Sequence, residues 1–208
     1  MEAPNSDIQH IVNKAVARFD CDSPSLITAF MSEVLQWNRT LGLVSRKDPV
    51  AASERLLFES LELARELGLE RERIVDIGSG AGFPGLVWAL TLPRLEVTMI
   101  ERRERRALFL ERACRTLPVP NATAIAMDAV VAARSPDFQG AFDLAVTIAV
   151  GDPSSLAGAI EPMLATNGRF ASTIPGASTA PLRIGRALHH ERRIDGEFGC
   201  YVIYRRGV

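Results

Sequence analysis

An α/β protein with a doubly wound, mainly parallel sheet is what this sequence predicts, and three observations carry the prediction. From Arg73 onward, short apolar runs alternate with amphipathic stretches in the rhythm of strand and helix. A glycine-rich turn, "VDIGSGAGFPG" from Val75 to Gly85, follows the first of those runs directly. The tail "HERRIDGEFGCYVIYRR" holds Asp195-Gly196, a two-residue turn signal, so the last two strands are expected to be antiparallel.

At 208 residues with 47% hydrophobic side chains, the chain can bury one core, or one core with a helical appendage. Residues 1–70 read as that N-terminal helical extension, and residues 71–208 as the sheet-bearing unit. Ser25 is the expected cap of a helix whose stripe is Leu26, Ala29, Phe30, Val34 and Trp37. A second helix, "PVAASERLLFESLELARELG", carries Ala52, Leu56, Phe58 to Leu63 and Leu67, and stops at Gly68. Between them, "NRTLGLVSRKD" reads as a polar loop. The strands are "RIVDIG", "LEVTMIE", "ATAIAM", "FDLAVTIAV" and "GRFASTI", with helices expected near 84–91, 104–117, 153–165 and 179–189. There is no internal repeat and no low-complexity segment.

Charge and cysteine usage narrow the function. With 24 basic and 25 acidic residues, a nucleic-acid partner has to be met by a local patch rather than by a global field. Lys14 and Lys47 are the only lysines, so the basic residues are nearly all arginine. Cys21, Cys114 and Cys200 are too scattered for a disulfide framework or a zinc cluster, and no metal is expected. No apolar run approaches the roughly 20 residues of a membrane span. The segment "MEAPNSDIQH" lacks the order of a secretory signal, so the expected location is the cytoplasm, with no membrane partner.

In an open α/β sheet the ligand sits where the first strand turns into its helix. Gly78, Gly80 and Gly82 clear side chains from that turn, and Pro84 suits the first turn of the helix. The loop has two readings: G-x-G-x-x-G from Gly80 to Gly85, for a dinucleotide, and D-x-G-x-G-x-G from Asp76 to Gly82. Glu101, at the end of the second strand, suits the ribose of either cofactor. Asp76 separates them, because a pyrophosphate avoids a carboxylate whereas the sulfonium and ammonium of S-adenosyl-L-methionine attract one. The expected donor contacts are Asp76, Gly78, Ser79, Gly80, Gly82, Phe83 and Glu101, with Asp128, Ala129 and Val130 after the third strand. Asp128 reads equally as an acceptor for the adenine amine or as a turn residue, and Phe83 as a cofactor or base contact or as core. Arg102, Arg103, Arg105 and Arg106 form either a phosphate-binding patch or a solvated helix start neutralised by Glu101, Glu104 and Glu111.

The loop, together with "IERRERRALFLERA" after the second strand, resembles the RsmG/GidB family of small-subunit ribosomal RNA guanine-N7 methyltransferases. "WNRTLGLVSRKDP" and "ERLLFESL" stand at the spacing of that family's W-N-x-x-x-N-L-T-x-x-R-D-P and R-H-x-x-D-S-L segments. The resemblance runs from about residue 30 to the end. It implies a seven-stranded Rossmann-like methyltransferase sheet, S-adenosyl-L-methionine as cofactor, and ribosomal RNA or the small ribosomal subunit as partner of a monomer. Arg102, Arg105, Arg106 and Lys47 are the expected RNA contacts.

The resemblance is to a divergent member. Gly42 and Val44 replace the family's second Asn and its Thr, and Leu56 its His; Asp128 and Val130 align with an Arg and a Glu. Thr147, Ile148 and Ala149 stand for S-R-A, and a Lys before Gly is replaced within "STIPG". Two alternatives therefore stay open: a donor-binding relative with another acceptor or with rRNA methylation lost, and a NAD-binding enzyme. No catalytic residue is assigned. N7 of guanine needs no general base, and His10, His189 and His190 read as surface.

Overall fold

A computed structural model describes residues 5–21, 23–148, 152–175 and 178–207. Three helices, α1 (Asn5–Phe19), α2 (Pro24–Leu41) and α3 (Pro49–Leu67), precede the sheet. The sheet strands are β1 (Arg73–Ile77), β2 (Glu96–Glu101), β3 (Ala122–Ala126), β4 (Phe142–Thr147), β5 (Leu164–Thr173), β6 (Arg183–Ile184), β7 (Leu188–Asp195) and β8 (Cys200–Arg206). Helices α4 (Gly85–Thr91), α5 (Glu104–Thr116), α6 (Ala129–Ala132) and α7 (Ala157–Met163) join the first five strands.

The strand order is β3-β2-β1-β4-β5-β8-β7-β6, with β1 to β5 mutually parallel and β8 antiparallel to β5. Strand β1 lies between β2 and β4, so the chain reverses direction across the sheet beside β1 and opens the crevice in which such folds bind ligands. Alternate side chains serve opposite faces. Ile74, Met99, Leu144 and Tyr201 join one core with α1 to α5, whereas Val75, Ile77, Ala145, Phe170 and Tyr204 join another with α6 and α7.

The mainly parallel architecture and the antiparallel tail are those the sequence implies, and four details differ. The stretch 179–189 is not helical: Gly185 has φ +60°, and a Cβ there would come 2.5 Å from Glu161 Oε2. The two-residue strand β6 occupies part of it and makes an eighth strand. The tail turn is longer than Asp195-Gly196, because Asp195 pairs with Cys200 and residues 196–199 make the bend. Helix α2 starts before Ser25, with Ser23 at its N-cap and Pro24 inside its first turn.

The buried stripe of α2 is Ile27, Phe30, Met31, Val34, Leu35 and Asn38, while Ala29 is exposed and Leu26 and Trp37 are half-buried. The expected stripe was thus rotated outward, since Ala29 and Trp37 kept the spacing but not the face. Residues 149–150 of "FDLAVTIAV", among them Ala149, and Gly176 of "STIPG" lie outside the described residues.

Candidate functional site

The glycine turn lies at the carboxyl end of β1 and opens on a cavity of about 860 Å³, within the size range of small-molecule sites. Its floor is Ile77 to Ala81 with Ile100, and its far wall is Met127 to Val130. Backbone hydrogen bonds fix the turn to the next strand: the amide of Gly78 donates to the carbonyl of Ile100 at 2.8 Å, and that of Gly82 to Ser79 at 2.7 Å. Gly80 and Gly82 have φ of +55° and +94°, the left-handed region that side-chain-bearing residues seldom adopt.

The glycines separate into different tasks. Gly78 and Gly80 face the cavity. Gly82 does not line it; a Cβ there would meet Leu86 at 3.1 Å and Leu110 and Phe30 at 3.3 Å, so this glycine lets α2, α4 and α5 close behind the turn. Gly85 stands against Asp76, whose Oδ2 would lie 2.7 Å from an added Cβ.

Asp76 departs from its expected place. It is 1% exposed, lies behind the turn rather than in the cavity wall, and accepts a hydrogen bond from the Gly85 amide at 3.1 Å. Its Oδ1 is buried without a hydrogen-bond partner. Burial, added to by Glu101 and opposed by the Gly85 bond, pushes its carboxyl up to about 7. Asp76 therefore braces the junction of turn and helix, and any attraction for a cationic ligand acts from behind the turn.

Glu101 is in place. It lines the cavity at the end of β2; one oxygen accepts from the Gly80 amide at 3.0 Å and the other from the Arg103 amide at 2.8 Å. Each oxygen keeps a lone pair, so the carboxylate can hold the turn and still receive a ligand hydroxyl. Asp128, just past the end of the neighbouring strand β3, also lines the cavity and caps α6, accepting from the Val130 amide at 2.8 Å. The cap gives Asp128 the turn role, and its place in the cavity wall leaves its second oxygen open to a ligand. Ser79 and Ala129 line the cavity, as does Val130, which is 52% exposed. Phe83 is both wall and core: it lines the cavity yet is buried, its ring 5.1 Å from that of Phe30.

Among the arginines, Arg102, Arg103 and Arg106 reach the cavity, whereas Arg105 and Lys47 are exposed and do not line it. Arg106 donates to the carbonyl of Gly42, tying the start of α5 to the loop that carries Lys47. Burial and neighbouring Arg103 hold the Arg106 guanidinium below its ordinary range. Leu56 and Ile148 line the cavity as Asp128 and Val130 do, so four of the substituted family positions face the site. Gly42 at φ +59° ends α2 in the left-handed conformation. Asn tolerates that conformation best after glycine, so the exchange of Asn for Gly keeps the backbone while removing a side chain. Sequence reasoning missed Leu43, Met127, Arg134 and Pro162, which also line the cavity. They come from helix ends and loops, where periodicity carries no signal.

The described residues contain no group of three or more metal-ligating side chains, and no helix among them is long and apolar enough to cross a membrane. The wall instead suits an adenosyl ligand: bare backbone at Gly78 and Gly80, carboxylates at the ends of β2 and β3, and apolar surface from Ile100, Met127 and Ala129 between them.

Comparison with known proteins agrees with that geometry. The family model described as GidB, rRNA small subunit methyltransferase G, matches residues 24–178. The chain belongs to the GidB family. The Ribosomal RNA small subunit methyltransferase G of Roseiflexus castenholzii is 30% identical over 168 residues, covering 81% of this chain and 71% of that protein. Its namesake from a Synechococcus species is 33% identical over 144 residues, and there the match spans 66% of this GidB chain and 55% of the relative. Solved structures share the fold at low identity. A SAM dependent methyltransferase from Aquifex aeolicus superposes with a TM-score of 0.59 at 15% identity, over 86% of this chain and 98% of that one. A mutant MtNAS in complex with S-adenosylmethionine gives 0.62 at 15% identity, over the full length of both.

Proposed function

We propose that this GidB chain transfers a methyl group from S-adenosyl-L-methionine to N7 of a guanine in 16S ribosomal RNA. The observation that carries the reading is the cavity at the β1 turn, which the bare backbone of Gly78 and Gly80 lines together with Glu101 and Asp128 from the ends of the neighbouring strands. Gly78, Ser79, Gly80, Phe83, Glu101, Asp128, Ala129 and Val130 hold the donor, and Asp76 and Gly82 support the turn that receives it. When bound, the donor supplies an electrophilic methyl group on a sulfonium sulfur.

The chain's own contribution is alignment and exclusion of water. The Glu101 bonds to Gly80 and Arg103 fix the turn and the start of α5 as one unit, so the ligand meets a preorganised wall. Ile148, 7% exposed, puts an aliphatic surface where the family pattern has an arginine and keeps that part of the cavity dry. Guanine N7 carries an in-plane lone pair and no proton, so the transfer calls on no general base. Arg102, Arg103 and Arg106 at the mouth, with Arg105 and Lys47 beyond it, receive RNA phosphates.

In this reading residues 71–208 form the donor-binding unit, with Leu43 and Leu56 the wall residues contributed by the helical extension over residues 1–70. The acting form is a cytoplasmic monomer on the small ribosomal subunit. Mass spectrometry of small-subunit RNA from cells lacking this protein tests the proposal. An N7-methylguanine lost on deletion and regained on complementation supports it; an unchanged modification contradicts it.

A further inference from the structure

Helix α5 runs outward from the mouth of the donor cavity, and its seam with α2 is fixed at three points. Arg106 donates to the carbonyl of Gly42 at the mouth, the guanidinium carbon of Arg112 lies 5.5 Å from the centre of the Trp37 ring, and the Thr116 hydroxyl donates to Glu33 Oε1 at 3.0 Å. Trp37, expected in the buried stripe of α2, is thus half-buried on the side of α5. Arg112 follows Arg106 by six residues, about 9 Å along the helix axis. The Trp37–Arg112 pair therefore stands outside the donor cavity and close beside its mouth.

Arg105, Leu108 and Arg112 follow one another at spacings of three and four, so they share one face of α5. All three are exposed, Leu108 to 53%. Glu104 and Glu111 each precede an arginine of that face and lie about 100° round the helix from it. Among the described residues no carboxylate forms an ion pair with Arg102, Arg105 or Arg112. Uncompensated guanidinium groups thus flank an apolar side chain, with an aromatic ring alongside. Cations for phosphates, with apolar and aromatic surface between them, are the elements of a track for single-stranded nucleic acid.

We propose that this face of α5 holds an unpaired RNA segment beside the target guanine. Arg105 takes a phosphate, and a flanking base stacks on the Arg112 guanidinium that Trp37 backs, against Leu108. The proposal rests on the methyltransferase reading above and deepens it. A guanine drawn out of its stack leaves its neighbour without a stacking partner, and a flat cation backed by an aromatic ring replaces that partner for any base. RNA is the occupant the chemistry selects, because an acidic peptide would satisfy the arginines and leave the stacking surface unused.

The test uses the whole chain saturated with S-adenosylhomocysteine, titrated by fluorescence anisotropy with two labelled strands of about 12 units. One is oligouridylate, which has no guanine to occupy the target position; the other is the same ribose-phosphate backbone without bases. Wild type is expected to bind the base-bearing strand about tenfold more tightly, the size of one stacked base. Arg112→Lys keeps the charge and removes the plane, and Leu108→Ser removes the apolar contact. Each is expected to bring the preference below about threefold, with S-adenosylhomocysteine affinity and the thermal midpoint unchanged. Arg105→Gln is expected to weaken both strands alike and to reduce the slope of log affinity against log salt by about 0.7. A wild type that binds the two strands equally has a general polyanion surface, which overturns the proposal without any variant having to fold. So does a wild type that binds neither strand, or an Arg112→Lys or Leu108→Ser protein that keeps the full preference. If the donor analogue binds and the base preference is absent, this inference fails and the donor reading stands; if the donor analogue itself does not bind, both fall.

Discussion

The two ends of the sheet are built on different principles. At the β1 to β3 side the site is made of local geometry: a turn, the strand end beside it and a capped helix, all held by backbone amides on Glu101, Asp76 and Asp128. At the β5 to β8 side the wall is assembled from distant segments. Glu62 of α3 accepts from the amides of Glu197 and Phe198 in the tail turn, and Tyr201 donates to the Glu59 carbonyl. The difference teaches that the turn and the carboxylates beside it are set by neighbouring segments of β1 to β3, whereas the β5 to β8 wall depends on the helical extension and the tail meeting correctly.

The contrast can be broken first at Asp76. Its carboxyl is raised to about 7 in the folded protein and returns toward 3.8 on unfolding. The folded state therefore binds the extra proton, and stability is full below pH 4 and is lost as pH rises toward 7. Asp76→Asn removes the titrating group while Asn can still accept from Gly85. Denaturant unfolding should show the variant gaining on wild type by about 1.4 kcal/mol per pH unit between pH 4 and pH 7, with no further gain above. Equal pH slopes for the two proteins would show that Asp76 is not buried as described.

A second break is aimed at the turn alone. Gly80→Val puts a β-branched residue at φ +55°, and calorimetry should show S-adenosylhomocysteine affinity falling roughly a hundredfold, the size expected of such backbone strain. The distant β5 to β8 wall should be unaffected, so the overall melting transition stays cooperative. The smallest effect sharpens the comparison. Asp128→Ala loses the cap on α6, and donor-analogue affinity should fall about fivefold, equivalent to about 1 kcal/mol. A loss as large as that of Gly80→Val would mean that Asp128 contacts the ligand more strongly than it holds the helix.

This division also explains what could be read from the sequence. The first five strands, the stop of α3 at Gly68 and the glycine turn depend on local periodicity and local backbone needs, and all are found. The stretch 179–189 failed because its fate is decided by β8, which inserts between β5 and β7 after a separation in sequence that no local pattern reports. Asp76 was expected as a cavity-facing charge, since the spacing D-x-G-x-G-x-G locates the acid but not its side of the turn. Its burial follows from Gly85, which leaves space for the carboxylate and offers it an amide. Gly82 likewise looked like a ligand glycine and is a packing glycine, a distinction set by Phe30 and Leu110 from other helices.

The central claim is that the β1 cavity accepts a sulfonium-type adenosyl donor rather than a dinucleotide. Calorimetric titration of the purified full chain with S-adenosylhomocysteine and, separately, with NAD tests it most directly. The account predicts saturable one-site binding of the first, weakened by Gly80→Val, and no heat from the second. Binding of NAD that S-adenosylhomocysteine cannot displace, or no binding of S-adenosylhomocysteine at all, would contradict it.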